Sequence, residues 1–400
     1  MSALVVANDV PVPPNSGGRV DVWRRLKLLK SLNVKTALLC WYDVPRAGEP
    51  QIVVRRGLAT VCDTTMLVPV RRGVGELFGR MLHVWRLPSH AASRWVTVKH
   101  QALLQWAREF GPRAILLDGL YGAACACWLA TQLKRPLLYR SHNIEHVYMR
   151  RQMECATSWR RRLAVAVNLV GLKRFECRVI ARADRVLDIS LDDQQYWRKQ
   201  GFDHVDWLPA VVDARYAESV SRPDPPRWDA LYFGNLNTPN NVDALHWLVE
   251  SVLPLLPDPG LRVAVAGSSP TADVQALVGR DQRVMLISDP EDMAAVVRRA
   301  RVLVNPVRAG SGVSVKSVEM LFSRATLVST SVGVQGLPVE ARACFSVCDD
   351  AAGFAKAVQR GLTGENLLAP GDRQQARRPF TPEAVRCRMQ DVFSSVLASP

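Results

Sequence analysis

NPVRAGSGVSVKSVEMLFSRATLVSTSVGVQGL, residues 305–337, is the stretch that decides the expected fold of this chain. A buried strand ends at its start, and a turn of small residues, Gly310, Ser311 and Gly312, leads into a helix that carries Lys316 and Glu319. Glycines let a backbone approach a ligand closely, and the N–H groups of a helix start attract phosphate. Lys316 can add a point charge, and Glu319, one turn later, can accept from a sugar hydroxyl. The pattern favours a nucleotide diphosphate, although the glycine turn alone is equally typical of an ordinary strand–turn–helix unit.

Apolar strand patterns alternate with helical periodicity on both sides of this stretch, which predicts a parallel α/β architecture. The strand candidates are residues 3–7, 34–39, 64–68, 114–117, 137–139 and 185–189 in the first half, and 230–233, 263–266, 284–286, 302–305, 326–329 and 344–347 in the second. Predicted helices, such as 20–32, 242–256 and 290–299, lie between them.

A proline-rich segment separates the two halves. The run Pro-Asp-Pro-Pro at 223–226 cannot continue a helix and is typical of a linker. The chain's 400 residues are enough for two domains, each with its own core. The expected domains are therefore 1–215, a linker at 216–228, a second domain at 229–378, and a last helix within 379–400.

The string from Gly310 to Glu319 resembles the donor-site motif G-S-G-x-x-x-K-x-x-E of family 4 glycosyltransferases, the glycosyl transferases group 1 type. This resemblance implies the GT-B fold, in which two Rossmann-like domains face a central cleft and the last helix packs back on the first domain. It assigns Glu319 to the ribose, and Lys316 with Arg308 to the diphosphate. The chain departs from the family pattern at Ser311, where most members have glutamate, and at Ser314, where its subgroup often has arginine.

Two more glycine loops match the family's donor loops. Gly17 and Gly18 precede a predicted helix, as in the family's P-x-x-x-G-G loop, which approaches the donor phosphates. Gly234 and Asn235 follow the first strand of the second domain, at a position where many members place an arginine and a lysine. Because amides give weaker, non-ionic phosphate contacts, Lys316 must carry more of the charge.

The sequence YRSHNIEH, residues 139–146, follows a predicted strand and resembles the family's R-x-H-N-x-E loop. By that resemblance Arg140, His142, Asn143 and Glu145 bind the acceptor, with His142 also catalytic beside Lys316 and Glu319. Imidazole is suited to orient a hydroxyl near neutral pH. Two alternatives remain open: Glu145 as a helix-capping residue, and the literal H-x-x-E-H pattern as a zinc site. We expect no metal.

The net charge of +15 calls for an anionic partner. Arginines concentrate in the first half, at 71, 72, 80, 150, 151 and 160–162, with Trp85, Trp95 and Trp159 among them. Such segments fit a helix on an anionic membrane surface, and a solvated basic face explains them equally well. No nucleic-acid-binding motif accompanies the charge. Without a signal peptide, a membrane-spanning run or a C-x-x-C pair, we expect a cytoplasmic protein, peripheral at the inner face of the membrane at most.

Together these patterns predict a metal-independent, retaining glycosyltransferase of bacterial surface polysaccharide synthesis. It would move a hexose from a nucleotide diphosphate sugar to a saccharide acceptor, often lipid-linked, with no cofactor besides the donor. The alternatives are a nonhydrolysing GT-B sugar-nucleotide epimerase, a noncatalytic nucleotide-sugar-binding protein and a zinc hydrolase.

Overall fold

The computed structural model describes residues 1–43, 51–70, 83, 86–154, 158–364 and 370–398. By internal packing the chain divides into two units. The first comprises 1–14, 18–209 and 386–400, and the second comprises 15–17 and 210–385. The basic residues Arg71, Arg72 and Arg80 and the nearby Trp85 lie outside the described residues.

The first unit is built on a parallel sheet with the spatial order β3-β2-β1-β4-β5-β6-β7. Its strands are β1 (Ser2–Ala7), β2 (Lys35–Asp43), β3 (Thr64–Val70), β4 (Ala114–Asp118), β5 (Leu137–Ser141), β6 (Arg185–Asp188) and β7 (Val205–Trp207). Its helices are α1 (Gly17–Ser31), α2 (Gln51–Ala59), α3 (Ser89–Val96), α4 (His100–Phe110), α5 (Ala123–Leu133), α6 (Glu145–Glu154), α7 (Trp159–Leu169), α8 (Leu172–Arg182) and α9 (Leu191–Lys199).

The second unit repeats this plan with the spatial order β10-β9-β8-β11-β12-β13. Its strands are β8 (Trp228–Asn235), β9 (Val263–Ser268), β10 (Val284–Ser288), β11 (Ala300–Asn305), β12 (Thr326–Ser329) and β13 (Ser346–Val347). Its helices are α10 (Ala214–Ser221), α11 (Pro239–Trp247), α12 (Ala272–Val278), α13 (Met293–Val297), α14 (Val315–Met320), α15 (Val339–Arg342), α16 (Ala351–Thr363) and α17 (Pro370–Arg377). The last helix, α18 (Pro382–Ala398), begins in this unit.

The central strands of both sheets are mostly apolar because helices cover both faces of a parallel sheet. In β1, Leu4 and Val6 are fully buried, and Ala3 pairs in register with Ala114 of β4. In β8, Ala230 pairs with Val302 of β11. The strand order reverses between β1 and β4 and again between β8 and β11. Ligands of open α/β sheets bind at such switch points, beyond the carboxyl ends of the strands.

Each strand predicted from the apolar patterns is present, and the structure adds β7, which the patterns missed. β7 has three residues and carries Asp206 at its centre, so it offers no apolar run to recognise. The segment predicted as a linker holds the end of α10 and the start of β8, joined by 222–227. From Arg386 onward, α18 groups with the first unit, where Arg388 lies over the ring of Trp207.

Among the described residues, no helix is both long and apolar enough to cross a bilayer.

Candidate functional site

The loop after β11 is anchored by a buried asparagine. Asn305 ends β11, and its Nδ2 donates to the hydroxyls of Ser317, at 2.8 Å, and Ser314, at 3.1 Å. The Ser317 hydroxyl in turn donates to the Gly333 carbonyl at 2.6 Å. This chain of bonds fixes the start of α14 against the loop after β12. The sequence patterns did not identify Asn305 as a site residue, although a polar residue at the end of a buried strand indicates one.

The turn of Gly310, Ser311 and Gly312 leads into a helix, as predicted, but it does not itself form the helix start. Helix α14 begins at Val315, and Ser314 caps it by accepting from the Ser317 N–H. The glycine turn lies before this cap, in the loop, where Gly312 has a φ of +70°. This loop conformation favours glycine because a side chain would be strained there. Gly310 and Ser311 are half-buried in the same loop.

Lys316, on the first turn of α14, points back toward β8. Its Nζ is buried, has no hydrogen-bond partner, and lies 3.9 Å from the ring centre of Tyr232. A Cβ added at Gly234 would lie 3.3 Å from that Nζ, so the absence of a side chain at Gly234 makes room for the amine. Burial lowers the pKa of Lys316 to about 7, against the opposing effect of Glu319. A buried amine without a hydrogen-bond acceptor is suited to receive an anion.

Asn235 and Arg308, both predicted to contact the donor, already have partners. Asn235 Nδ2 donates to the Asn15 carbonyl at 2.7 Å, and its Oδ1 accepts from the Asn237 N–H at 2.9 Å. These bonds shape the loop after β8. Arg308 is exposed, lies over the Trp247 ring, and has a carboxylate oxygen of Asp243 3.4 Å from Nη2. Its charge is therefore partly offset.

The glycine pair predicted to approach the donor opens α1. Gly17 groups with the second unit, where a Cβ on it would lie 4.0 Å from Val315 Cγ2. Gly18 groups with the first unit, and a Cβ there would meet no atom within 4 Å. Both residues therefore leave space around the backbone at this helix start.

In the first unit, a buried network of charges lies at the carboxyl ends of β4 and β5. Asp21 and Arg25 are one turn apart on α1 and make an ion pair at 2.8 Å. Arg25 also donates from Nε to Asp118 Oδ2 at 2.8 Å. Asp118 ends β4, beside the switch point. The sequence patterns missed Asp21 and Arg25 because charges on a helix normally indicate a solvated face.

His142 lies at the exposed side of this network. Its Nε2 is 2.6 Å from Asp118 Oδ1, and its Nδ1 is 3.6 Å from Asp21 Oδ2. Burial would raise the pKa of Asp118, but Arg25 and the bond from His142 hold it below its ordinary value. The carboxylate is therefore ionised, and Nε2 must carry the hydrogen.

Arg140, predicted to bind the acceptor, is wholly buried. Its guanidinium donates to Asp21 at 3.2 Å and to the Leu208 carbonyl. Burial would raise the pKa of Asp21, but Arg140 and Arg25 together hold it far below the ordinary value. Because no face of Arg140 reaches solvent, the structure gives it a positioning role and argues against direct contact with an acceptor.

Glu145, another predicted acceptor ligand, is also buried. Its Oε2 accepts from the Tyr121 hydroxyl at 2.9 Å, and Asn143 contributes a second side-chain hydrogen bond. Burial and the nearby Glu176 raise the pKa of Glu145 to about 7. Glu145 does not cap its own helix. That role belongs to Glu176, which accepts from the Glu145 N–H at 2.7 Å.

The H-x-x-E-H pattern does not converge on one point. His142 bonds to Asp118, whereas His146 Nδ1 bonds to Glu176 at 2.6 Å. Within the described residues, no group of three or more histidine, cysteine, aspartate or glutamate side chains could hold a metal ion.

The second unit matches a known family. Residues 227–363 fit the family model described as glycosyl transferases group 1. This part of the chain is similar to that family. The matched region contains β8, β11 and α14, and so includes Gly234, Lys316 and Glu319. The resemblance stated from the sequence is confirmed.

Relatives and solved structures extend the match over nearly the whole chain. A 44.6 kDa protein of the cps region of Klebsiella pneumoniae is 24% identical over 378 residues, 92% of this chain and 93% of the relative. Sucrose-phosphate synthase from Thermosynechococcus elongatus has a TM-score of 0.69 at 15% identity, with 100% of both chains covered. HepE from Anabaena, solved with UDP-glucose, has a TM-score of 0.64 at 13% identity, covering 99% of this chain and 100% of HepE. These likenesses confirm the fold class, two Rossmann-like domains of the GT-B type.

Proposed function

We propose that this protein transfers a hexose from a nucleotide diphosphate sugar to a saccharide acceptor, with retention at the anomeric carbon and without a metal ion or cofactor. The observation that carries the proposal is the buried Nζ of Lys316, which has no hydrogen-bond partner beside Gly234 at the β8–β11 switch point. A diphosphate there would supply the missing acceptors. Glu319, one turn later on α14, would hold the ribose.

The proposed transfer depends on stabilising the charge that develops on the leaving group. When the sugar departs, negative charge develops on the β-phosphate, and a fixed ammonium group stabilises it more than it stabilises the bound donor. Same-face attack lets the leaving phosphate take the acceptor proton, so a side-chain base is not strictly required. His142, held through Nε2 by Asp118, would orient the acceptor hydroxyl.

The setting we propose is bacterial surface polysaccharide synthesis. It is supported by the relative in the Klebsiella pneumoniae cps region. It is also supported by the fold shared with the lipopolysaccharide outer core galactosyltransferase WaaB, which has a TM-score of 0.63 at 13% identity over 99% of this chain and 100% of that one. We further propose that the acceptor is lipid-linked and that the protein works in the cytoplasm, at the inner face of the cell membrane.

A thermal-shift screen against GDP-, UDP- and dTDP-sugars identifies the donor. With that donor, Lys316→Ala and Glu319→Ala should each weaken binding by about 1–3 kcal/mol, the contribution of one charged hydrogen bond. Lys356→Ala is the matched control because it removes an exposed ammonium from α16. Unchanged donor affinity in both site variants would refute the proposed site. Donor conversion with no acceptor present would instead favour an epimerase.

A further inference from the structure

Helix α7 exposes a continuous apolar stripe. Four large apolar side chains, three or four positions apart, are each more than half exposed: Trp159 (72%), Leu163 (58%), Val167 (51%) and, just past the helix end, Val170 (60%). Residues at this spacing lie on one face of a helix. The opposite side of α7 is anchored, since Leu169 packs against the core of the first unit. The stripe is therefore a surface feature of a docked helix.

The chain segment that contains the stripe is cationic. Residues 158–182 contain seven lysines and arginines and a single acid, Glu176. Glu176 is fully buried, where it accepts from backbone N–H groups at the start of α6 and from His146. The exposed basic side chains among these residues are those of Arg160, Arg162, Lys173, Arg174, Arg178 and Arg182. No acidic side chain of this segment reaches the surface to neutralise them.

We propose that α7 lies on an anionic lipid surface, with the stripe from Trp159 to Val170 among the acyl chains and the flanking arginines on the headgroup phosphates. The inference rests on the proposed function only in that a lipid-linked acceptor would be found at such a surface. A helix with one apolar face, a basic border and a tryptophan is suited to the membrane interface. The guanidinium of Arg160 already lies over the Trp159 ring, 5.5 Å from its centre.

Charge complementarity distinguishes lipid from other occupants. A protein partner would have to match an apolar stripe and its neighbouring arginines, Arg160 and Arg162, with a surface of the opposite pattern, whereas an anionic bilayer offers phosphates and hydrocarbon at the same depth. Nucleic acid offers phosphates but no apolar surface for Leu163 and Val167. An anionic bilayer offers contacts both to the basic side chains and to the apolar stripe.

The test is cosedimentation of the full chain with vesicles of phosphatidylcholine mixed with phosphatidylglycerol, and with vesicles of phosphatidylcholine alone. We expect a partition coefficient about tenfold higher or more on the anionic vesicles, decreasing with salt, as electrostatic attraction requires. Two variants separate the contributions. Trp159→Ser with Leu163→Ser removes apolar contact, and Arg160→Gln with Arg162→Gln removes charge. Each pair should lower the partition on anionic vesicles about tenfold.

Val339→Ser is the control, because Val339 is an apolar side chain of the second unit that is 77% exposed. It should bind vesicles like the unchanged protein. The altered residues are exposed, so the midpoint of thermal unfolding and donor binding should stay as they were, which separates this proposal from the proposed function. Vesicle binding that the Trp159 and Leu163 substitutions leave intact would overturn it. So would a dimer that those substitutions abolish, or nucleic acid binding in place of vesicle binding.

Discussion

The buried amine of Lys316 leads to a specific pH dependence of donor binding. Without a ligand its pKa is about 7, lowered from 10.5 by burial. An adjacent diphosphate would restore the charged form, so binding should take up a proton wherever the free lysine is neutral. If the bound lysine returns to its ordinary pKa, affinity should fall about 30-fold, or ~2 kcal/mol, between pH 6 and pH 8.5. A sugar nucleotide is the right ligand because its diphosphate keeps its charge over this range.

The assay is isothermal titration calorimetry with the donor found in the screen. Titrations at pH 8 in buffers of different ionisation enthalpy give the proton uptake, which we expect to be about 0.9 per donor bound. Lys316→Met should abolish both the uptake and the pH slope, and should bind weakly throughout. Lys356→Met, which removes an exposed ammonium of the same unit, should keep both.

Two outcomes would refute this reasoning. One is an affinity of the unchanged protein that stays flat from pH 6 to pH 8.5. The other is a slope that survives in Lys316→Met, which would assign the titration to a different group. A flat profile with intact binding would mean that the ammonium stays charged beside the Tyr232 ring.

Three further predictions concern Lys316, His142 and Glu145. Lys316→Met should stabilise the ligand-free protein, because the pKa of Lys316 is lowered in the folded state. In chemical denaturation, the variant's excess free energy of unfolding over the unchanged protein should shrink by roughly 2–3 kcal/mol from pH 6 to pH 9. His142→Gln should lower kcat about 100-fold with donor affinity unchanged, measured as transfer to a saccharide acceptor, and weaker donor binding would contradict its acceptor role. The unchanged protein should lose up to about 3 kcal/mol of stability as pH rises from 5 to 8, because the folded pKa of Glu145 is raised to about 7 and stability is lost as pH passes through it. Glu145→Gln should not show this loss. An unchanged profile of unfolding free energy against pH would exclude Glu145 as the titrating group.

The architecture could be predicted from the sequence because parallel strands buried on both faces are mostly apolar. Residues 3–7, 114–117 and 302–305 are runs of this kind, and the structure makes each one a central strand. One short strand was missed for the same reason. The three residues of β7 have too little apolar length to distinguish a strand from a loop.

The donor loop shows which features the motif alone does not predict. The spacing of Lys316 and Glu319 placed both on a helix, and α14 carries them. The spacing did not show that the helix starts at Val315, because that boundary depends on the Ser314 cap and on Asn305, a residue at the end of the preceding strand. It also did not show that the ammonium is buried, since burial comes from Tyr232, far away along the chain.

The charged network of the first unit could not have been read from sequence at all, since its members come from α1, β4 and β5. Two carboxylates, Asp21 and Asp118, face two guanidinium groups, those of Arg25 and Arg140, so the buried charges sum to zero. Such an arrangement contributes little net stability, because desolvation offsets the Coulomb attraction. What it does supply is a fixed orientation for His142, whose side chain is the most exposed of the five at 17%. Each carboxylate faces one ring nitrogen, so the imidazole cannot rotate without losing the 2.6 Å bond to Asp118. We propose that this costly, balanced set of buried charges serves to hold one accessible imidazole for catalysis, because it contributes little to folding.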